Sequence, residues 1–237
     1  NMLFHNNTIY NIGTGAGQVA CIMLQGSQNA RVYNNTLDNA GIGVWAFESS
    51  AGQGVIKNTI TNMWQCGIID WGAVGSLTNQ RNLFNANSAN YGGSASAGPG
   101  EFQGDPMFSG APDYSLLAGS PAINTGIDLG LPFNGPAPDL GALETTSSIQ
   151  PGVVIGTVTT GGPAYTHRPV EPVPGASVAN ADGSASALTA ADGTYWLPVA
   201  STTPTVNASY DRAVTQSATL SVAPGATVTQ DFALLPV

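Results

Sequence analysis

The sequence predicts an all-β chain in two parts, a short β-solenoid followed by an antiparallel β-sandwich, and three observations predict it. A short Asn-rich motif recurs four times in the first third of the 237 residues. The recurring segments are rich in Asn, Thr, Ile and Val and bounded by glycine, without the three- and four-residue apolar spacing of a helix. Near Thr145 the texture changes to alternating apolar and small polar residues punctuated by turn signals.

The four copies are His5-Asn6-Asn7-Thr8-Ile9, Tyr33-Asn34-Asn35-Thr36-Leu37, Ile56-Lys57-Asn58-Thr59-Ile60 and Gln80-Arg81-Asn82-Leu83-Phe84. Aligned on Asn7, Asn35, Asn58 and Asn82 they stand 28, 23 and 24 residues apart, a period of stacked coils. Other columns keep phase: Phe4, Val32 and Val55 three residues earlier (Asn79 breaks the column), Ile9, Leu37, Ile60 and Phe84 two later, and Asn11, Asn39 and Asn62 four later. Asparagine tolerates the left-handed backbone of a sharp corner. Identical amides stacked about 4.8 Å apart can also hydrogen-bond along the axis, so these seven asparagines are expected to form ladders.

The runs NNTI, NNTL, KNTI and RNLF resemble the core motif of the right-handed parallel β-helix in pectate-lyase-like proteins, over residues 1 to about 90. A glycine- and serine-rich run, Gly92 to Gly100, ends the coils. Gly104-Asp105-Pro106-Met107-Phe108, Asp113-Tyr114-Ser115-Leu116, Gly119-Ser120-Pro121-Ala122-Ile123-Asn124-Thr125-Gly126 and Asp139-Leu140-Gly141-Ala142-Leu143-Glu144 then resemble the closing segment of bacterial secreted β-helix proteins. That segment, 101–144, is expected to cover the last rung's strand edges and apolar interior. Asp105, Asp139 and Glu144 are expected to accept hydrogen bonds in turns.

Residues 145–152 read as a linker. From 153 to 237, turn signals at Pro174-Gly175, Asp182-Gly183, Asp192-Gly193 and Pro224-Gly225 separate strands expected near 153–159, 176–180, 185–190, 194–199, 204–210, 216–222 and 226–234, an immunoglobulin-like antiparallel sandwich. The order Gly156-Thr157-Val158, Pro172 to Val178, Thr189, Asp192 to Tyr195 and Leu197-Pro198 resembles the carboxypeptidase regulatory-like domain, a transthyretin-like β-sandwich. The resemblance implies a non-catalytic module of surface and secreted proteins.

With five Lys and Arg, a net charge of −9 and 8% charged residues, the chain offers no basic footprint for nucleic acid and no polybasic membrane patch. Its apolar runs are far below the about 20 residues of a membrane span. An extracellular or cell-surface address is expected. Cys21 and Cys66 fall two rungs apart, too far for a disulfide, and are expected as buried thiols. His5 and His167 have no partner at metal-ligand spacing.

A lyase needs a base, a neutraliser of the uronate carboxylate and an acid. Lys57 and Arg81, placed in one column by the alignment, are the low-ranking candidates, and the β-helix resemblance implies calcium only if the protein is a lyase. Two carboxylates on one face would instead serve a glycoside hydrolase, but Asp38, Glu48 and Asp70 form no tight cluster in this register. Trp45 and Trp71, on neighbouring coils, are candidates for a carbohydrate-binding platform if strand pleating turns both outward. Trp64 and Trp196 are expected to be structural. Asn6, Asn34 and Asn207 stand in glycosylation sequons.

Asn1, Met2, Leu3 and Phe4 already occupy strand positions, so Leu3 and Phe4 are candidates for self-association or for contact with neighbouring subunits, head to tail. Three functions are expected on these grounds: a non-catalytic structural or adhesive surface protein, the carboxyl-terminal part of a polysaccharide lyase or hydrolase, and a carbohydrate-binding module.

Overall fold

The computed structural model describes residues 2–13, 19–47, 54–72, 77–161 and 170–235, and these residues form strands and no helix. The first coil contains β1 (Leu3–His5), β2 (Thr8–Tyr10) and β3 (Ala20–Gln25), and the second β4 (Arg31–Tyr33), β5 (Thr36–Asp38) and β6 (Ile42–Phe47). The third contains β7 (Gly54–Lys57), β8 (Ile60–Asn62) and β9 (Cys66–Trp71), and the fourth β10 (Leu77–Gln80), β11 (Leu83–Asn85) and β12 (Ala89–Gly93). Corresponding strands pair in parallel, giving sheet I (β1-β4-β7-β10), sheet II beginning β2-β5-β8-β11, and sheet III (β3-β6-β9-β12). The result is a parallel β-solenoid of about three turns.

The register corrects the sequence alignment at the third coil. Thr8 pairs with Thr36, Thr36 with Ile60 and Ile60 with Leu83, so the column of Asn7 and Asn35 continues through Thr59 to Asn82. Asn58 instead joins the corner column, where Asn6, Asn34, Asn58 and Arg81 have φ of 55, 49, 53 and 56°. The left-handed corner makes the stricter demand. The third coil has one asparagine where the first two have a pair, and the corner takes it. The same one-residue shift puts Ile60 on the outer face and Thr61 inward, and aligns Asn62 with Asp38 and Asn85 rather than with Asn11 and Asn39.

Inside the coils, Val32 and Ile56 from sheet I, Leu37 and Phe84 from sheet II, and Ile22, Leu24, Val44 and Ile68 from sheet III make one apolar core. Sheet III carries a break in pairing repeated in each rung: Cys21, Gly43, Gly67 and Asn90 are unpaired, while the strands keep the same register on either side. A Cβ at Gly67 would stand 2.7 Å from the Phe84 ring, and one at Gly43 would stand 2.5 Å from the Gly67 carbonyl, so neither position admits a side chain.

The last rung is continued by another strand. Strand β13 (Phe102–Gly104) pairs in parallel with β11 and then antiparallel with β17 (Ala185–Leu188) of the sandwich. Beyond β17 the sheet runs through β16 (Ser177–Asn180) and β19 (Thr205–Ser209) to β20 (Gln216–Thr219), nine strands in all. The opposing sandwich layer is built on β14 (Gly152–Thr160), paired antiparallel with β15 (Glu171–Pro172) and β18 (Thr194–Val199). The expected final strand is two, β21 (Thr227–Thr229) and β22 (Phe232–Leu234), and both run parallel to β14. The break falls at Gln230-Asp231, where Gln230 donates its N–H to Ile155 O and the Asp231 carboxylate accepts from Thr157 N.

The closing segment covers the last rung, as expected, only through Glu101 and β13 at its start; from Tyr114 to Ala142 it lies along the outer face of sheet II. Tyr114 OH donates to Asp38 Oδ2 at 2.6 Å, Ala142 N to Thr36 Oγ1 at 3.0 Å, and the Asn58 amide makes a reciprocal pair with the Ile127 backbone. The shift of Ile60 outward explains this placement, because Ile60 and Leu83 need a cover. They share one core with Leu116, Ala122, Ile123 and Leu140 of the closing segment and with Val178, Leu197 and Val206 of the sandwich. Within the segment, Asp105, Asp139 and Glu144 each accept backbone N–H groups.

Candidate functional site

Strand polarity decides the aromatic residues. Trp45 pairs with Ile69 and Phe47 with Trp71, so sheet III is offset by two residues from an alignment through its tryptophans. Both tryptophans face outward, diagonal to each other, with ring centroids 5.1 Å apart and nearly perpendicular. Phe47 stacks on Trp45 at 5.1 Å. The two rings are not equivalent, however: Trp45 is 7% exposed, whereas Trp71 is 49% exposed. Trp45 is therefore the buttress and Trp71 the presented ring. Ile42, Cys66 and Ile69 complete the apolar floor.

The candidate lyase pair is not assembled. Lys57 pairs with Gln80, and Arg81 follows in the corner column. The Arg81 guanidinium lies 3.7 Å from the centroid of the Trp196 ring, across the boundary between last rung and sandwich, and the Arg81 backbone N–H donates to Pro99 O at 3.1 Å. Trp196 contacts Phe102 as well, centroids 5.6 Å apart. Arg81 Nε and Nη1 are buried without a hydrogen-bond partner, and burial pulls the guanidinium down to about 10, still protonated at neutrality. The change from Asn to Arg at this corner was visible in the sequence; its partner, some 115 residues away, was not.

Asp70 is buried and accepts the Gly72 N–H at 2.9 Å, which marks it as a turn acceptor. Asp38 accepts Asn62 Nδ2 at 2.5 Å through one oxygen and Tyr114 OH through the other. Glu48, His167 and Asn1 lie outside the described residues. Cys21 and Cys66 are free thiols; Cys21 packs on the solenoid interior and Cys66 on the outer cluster of sheet III. Burial, with Asp38 adding to it, pushes the Cys21 thiol up to about 12. Of the sequons, Asn6 is exposed, Asn207 half-buried with Oδ1 accepting Ser217 Oγ, and Asn34 buried, so a glycan cannot attach to Asn34 in the folded chain. Leu3 is exposed, whereas Phe4 packs on the solenoid core.

Sequence reasoning missed Glu101. It occupies the ladder column one rung beyond Asn82, fully buried, and its carboxylate accepts from Asn82 Nδ2, Asn79 Nδ2, Tyr91 OH and Gly98 N at 2.5, 2.8, 2.6 and 2.8 Å. Desolvation outweighs these four donors and raises its pKa. Gly98 approaches the last rung so closely that a Cβ there would overlap Asn79 O. The signal in the sequence was the glycine-rich run leading into one glutamate, which reads equally well as a solvated loop.

No curated protein matches the chain. The family model of the carboxypeptidase regulatory-like domain matches residues 165–235, so the carboxyl-terminal sandwich is a carboxypeptidase regulatory-like domain, here joined strand to strand to a parallel β-solenoid.

Proposed function

We propose that the protein is a non-catalytic extracellular adhesive module that holds a polysaccharide against the outer face of sheet III. The observation that carries this reading is the half-exposed Trp71 ring, fixed edge-on by Trp45. A rigid aromatic ring offers stacking area to the apolar face of a sugar at little entropic cost. An aromatic ring left half exposed above the apolar cluster of Ile42, Trp45, Phe47 and Ile69 also fits an interaction site better than idle surface. Catalysis has less support: Lys57 and Arg81 stand in different columns, Arg81 stacks on Trp196, and Asp38 and Asp70 are each committed to structural donors. Head-to-tail stacking of solenoids has less support too, since β13 and β17 already occupy the sheet II edge of the last rung.

The test is titration of tryptophan emission with a panel of neutral and uronate-containing polysaccharides, on the unaltered protein and on Trp71→Ala. Saturable binding weakened about tenfold or more by the substitution is the expected result. Absence of binding across the panel, or equal binding by Trp71→Ala, would sink the reading.

A further inference from the structure

A cavity of about 440 Å³ lies between the last rung and the sandwich, bounded on the solenoid side by Gln80, Arg81 and Gly100 and on the sandwich side by Thr157, Thr194 and Trp196. Its volume falls within the range of small-ligand sites, about 300–1,000 Å³. Among the described residues, Arg81 is the only cation lining it. A chain of net charge −9 has many carboxylates to offer, yet among the described residues the only salt bridge is the exposed pair Arg212–Asp211. A half-buried guanidinium left without a counter-ion is costly, and stacking on Trp196 offsets only part of that cost, since an aromatic face supplies no hydrogen-bond acceptor.

The two acidic residues of the cavity are otherwise engaged. All four contacts of the Glu101 carboxylate are donors from the last rung and the loop beside it. Asp231 Oδ1 accepts both Thr157 N and Thr157 Oγ1, at 2.8 and 2.9 Å. Neither forms a salt bridge with Arg81. The cavity thus combines one unpaired cation, apolar contact from Ile155 and Leu188, and on the opposite wall the Thr157 and Thr194 hydroxyl oxygens, which remain acceptors because their hydrogens go to Asp231 and Asp192.

We propose that this junction cavity is a binding site for a small hydroxylated organic carboxylate of about monosaccharide size, with Arg81 supplying the counter-charge and Thr157 and Thr194 accepting hydrogen bonds from the ligand's hydroxyl groups. It is separate from the sheet III face, so either site can fail without the other. Glucuronate is the probe and glucuronamide its neutral isostere, both titrated into the Trp71→Ala protein by calorimetry and by tryptophan emission, to which Trp196 reports directly. The expected result is saturable binding of glucuronate, about tenfold or more weaker binding of glucuronamide, and loss of the difference in Arg81→Gln. Equal binding of the two probes, no binding of either, or a preference that survives Arg81→Gln would overturn the proposal. Should Arg81→Gln fail to fold, the comparison of the two probes on the protein with Arg81 intact still decides it.

Discussion

The two ends of the asparagine column show the same backbone slot under opposite conditions. At the first rung Asn7 is exposed, and its amide simply leans on the next rung, donating to Asn35 Oδ1 at 3.0 Å. At the far end Glu101 is buried under the glycine-rich loop and gathers four donors on one carboxylate. Between them the slot accepts Thr59, because the contact needed there is the Thr59 N–H to Asn82 Oδ1 at 2.9 Å, which any residue except proline supplies. A ladder position is thus held by its neighbours' demands: an amide where two rungs must be bridged, a backbone donor where one acceptor waits, and a carboxylate where only donors converge. The corner column is held by its own backbone conformation and is therefore stricter in most rungs.

The contrast between the two ends is tested most forcefully from the sandwich side. A chain ended at residue 150 exposes Leu83 and Phe102 and frees the β13 edge, so it should show no cooperative thermal transition by circular dichroism. A cooperatively folding solenoid without its sandwich would mean that the two parts are joined but not interdependent. Glu101→Ala comes next: Tyr91 OH and Gly98 N lose their acceptor, at about 1–3 kcal/mol for each buried unsatisfied group, so chemical denaturation should show a loss of roughly 2–6 kcal/mol. Asn7→Ala, in the same column, should cost about 1 kcal/mol or less, and equal costs at the two ends would erase the distinction between them. Thr59→Asn should restore the amide in the middle of the column and stabilise by about 0.5–1 kcal/mol in the same assay; destabilisation would mean that the slot has narrowed around threonine.

The smallest expected effect is one of pH. Because the folded value of Glu101 is raised above the ordinary 4.5, its contribution is fully present below about that pH and is lost as pH rises through the folded value. On acidification from neutrality toward pH 4.5, the unfolding midpoint of the protein should therefore gain on that of Glu101→Gln, which cannot titrate. A gap that shrinks on acidification would place the folded value below the ordinary one.

Much of this was legible in the residues. The recurrence of Asn, Thr and a branched apolar residue marked the coils, and paired turn residues such as Asp182-Gly183 and Asp192-Gly193 marked the sandwich hairpins, where both aspartates accept from the residue two further on. The third-coil register was not legible, because Asn58 matches either column by identity and only its φ of 53° assigns it to the corner. The orientation of Trp71 was not legible either, because strict alternation fails at Gly67: Cys66 and Ile69, three residues apart, both face the outer cluster while Ile68 points inward.

The sequence by itself determined an all-β chain with stacked coils first and a sandwich after, since periodicity and turn chemistry are local properties that each segment carries with it. Only the tertiary structure decided that the sandwich continues the solenoid's own sheet, that the closing segment lies along sheet II, and that Arg81 meets Trp196 beside an open cavity. These are long-range pairings between segments with no common pattern. They are selected because the last rung's strand edge, the outward Ile60 and Leu83, and a corner arginine all required partners that their own coils did not provide.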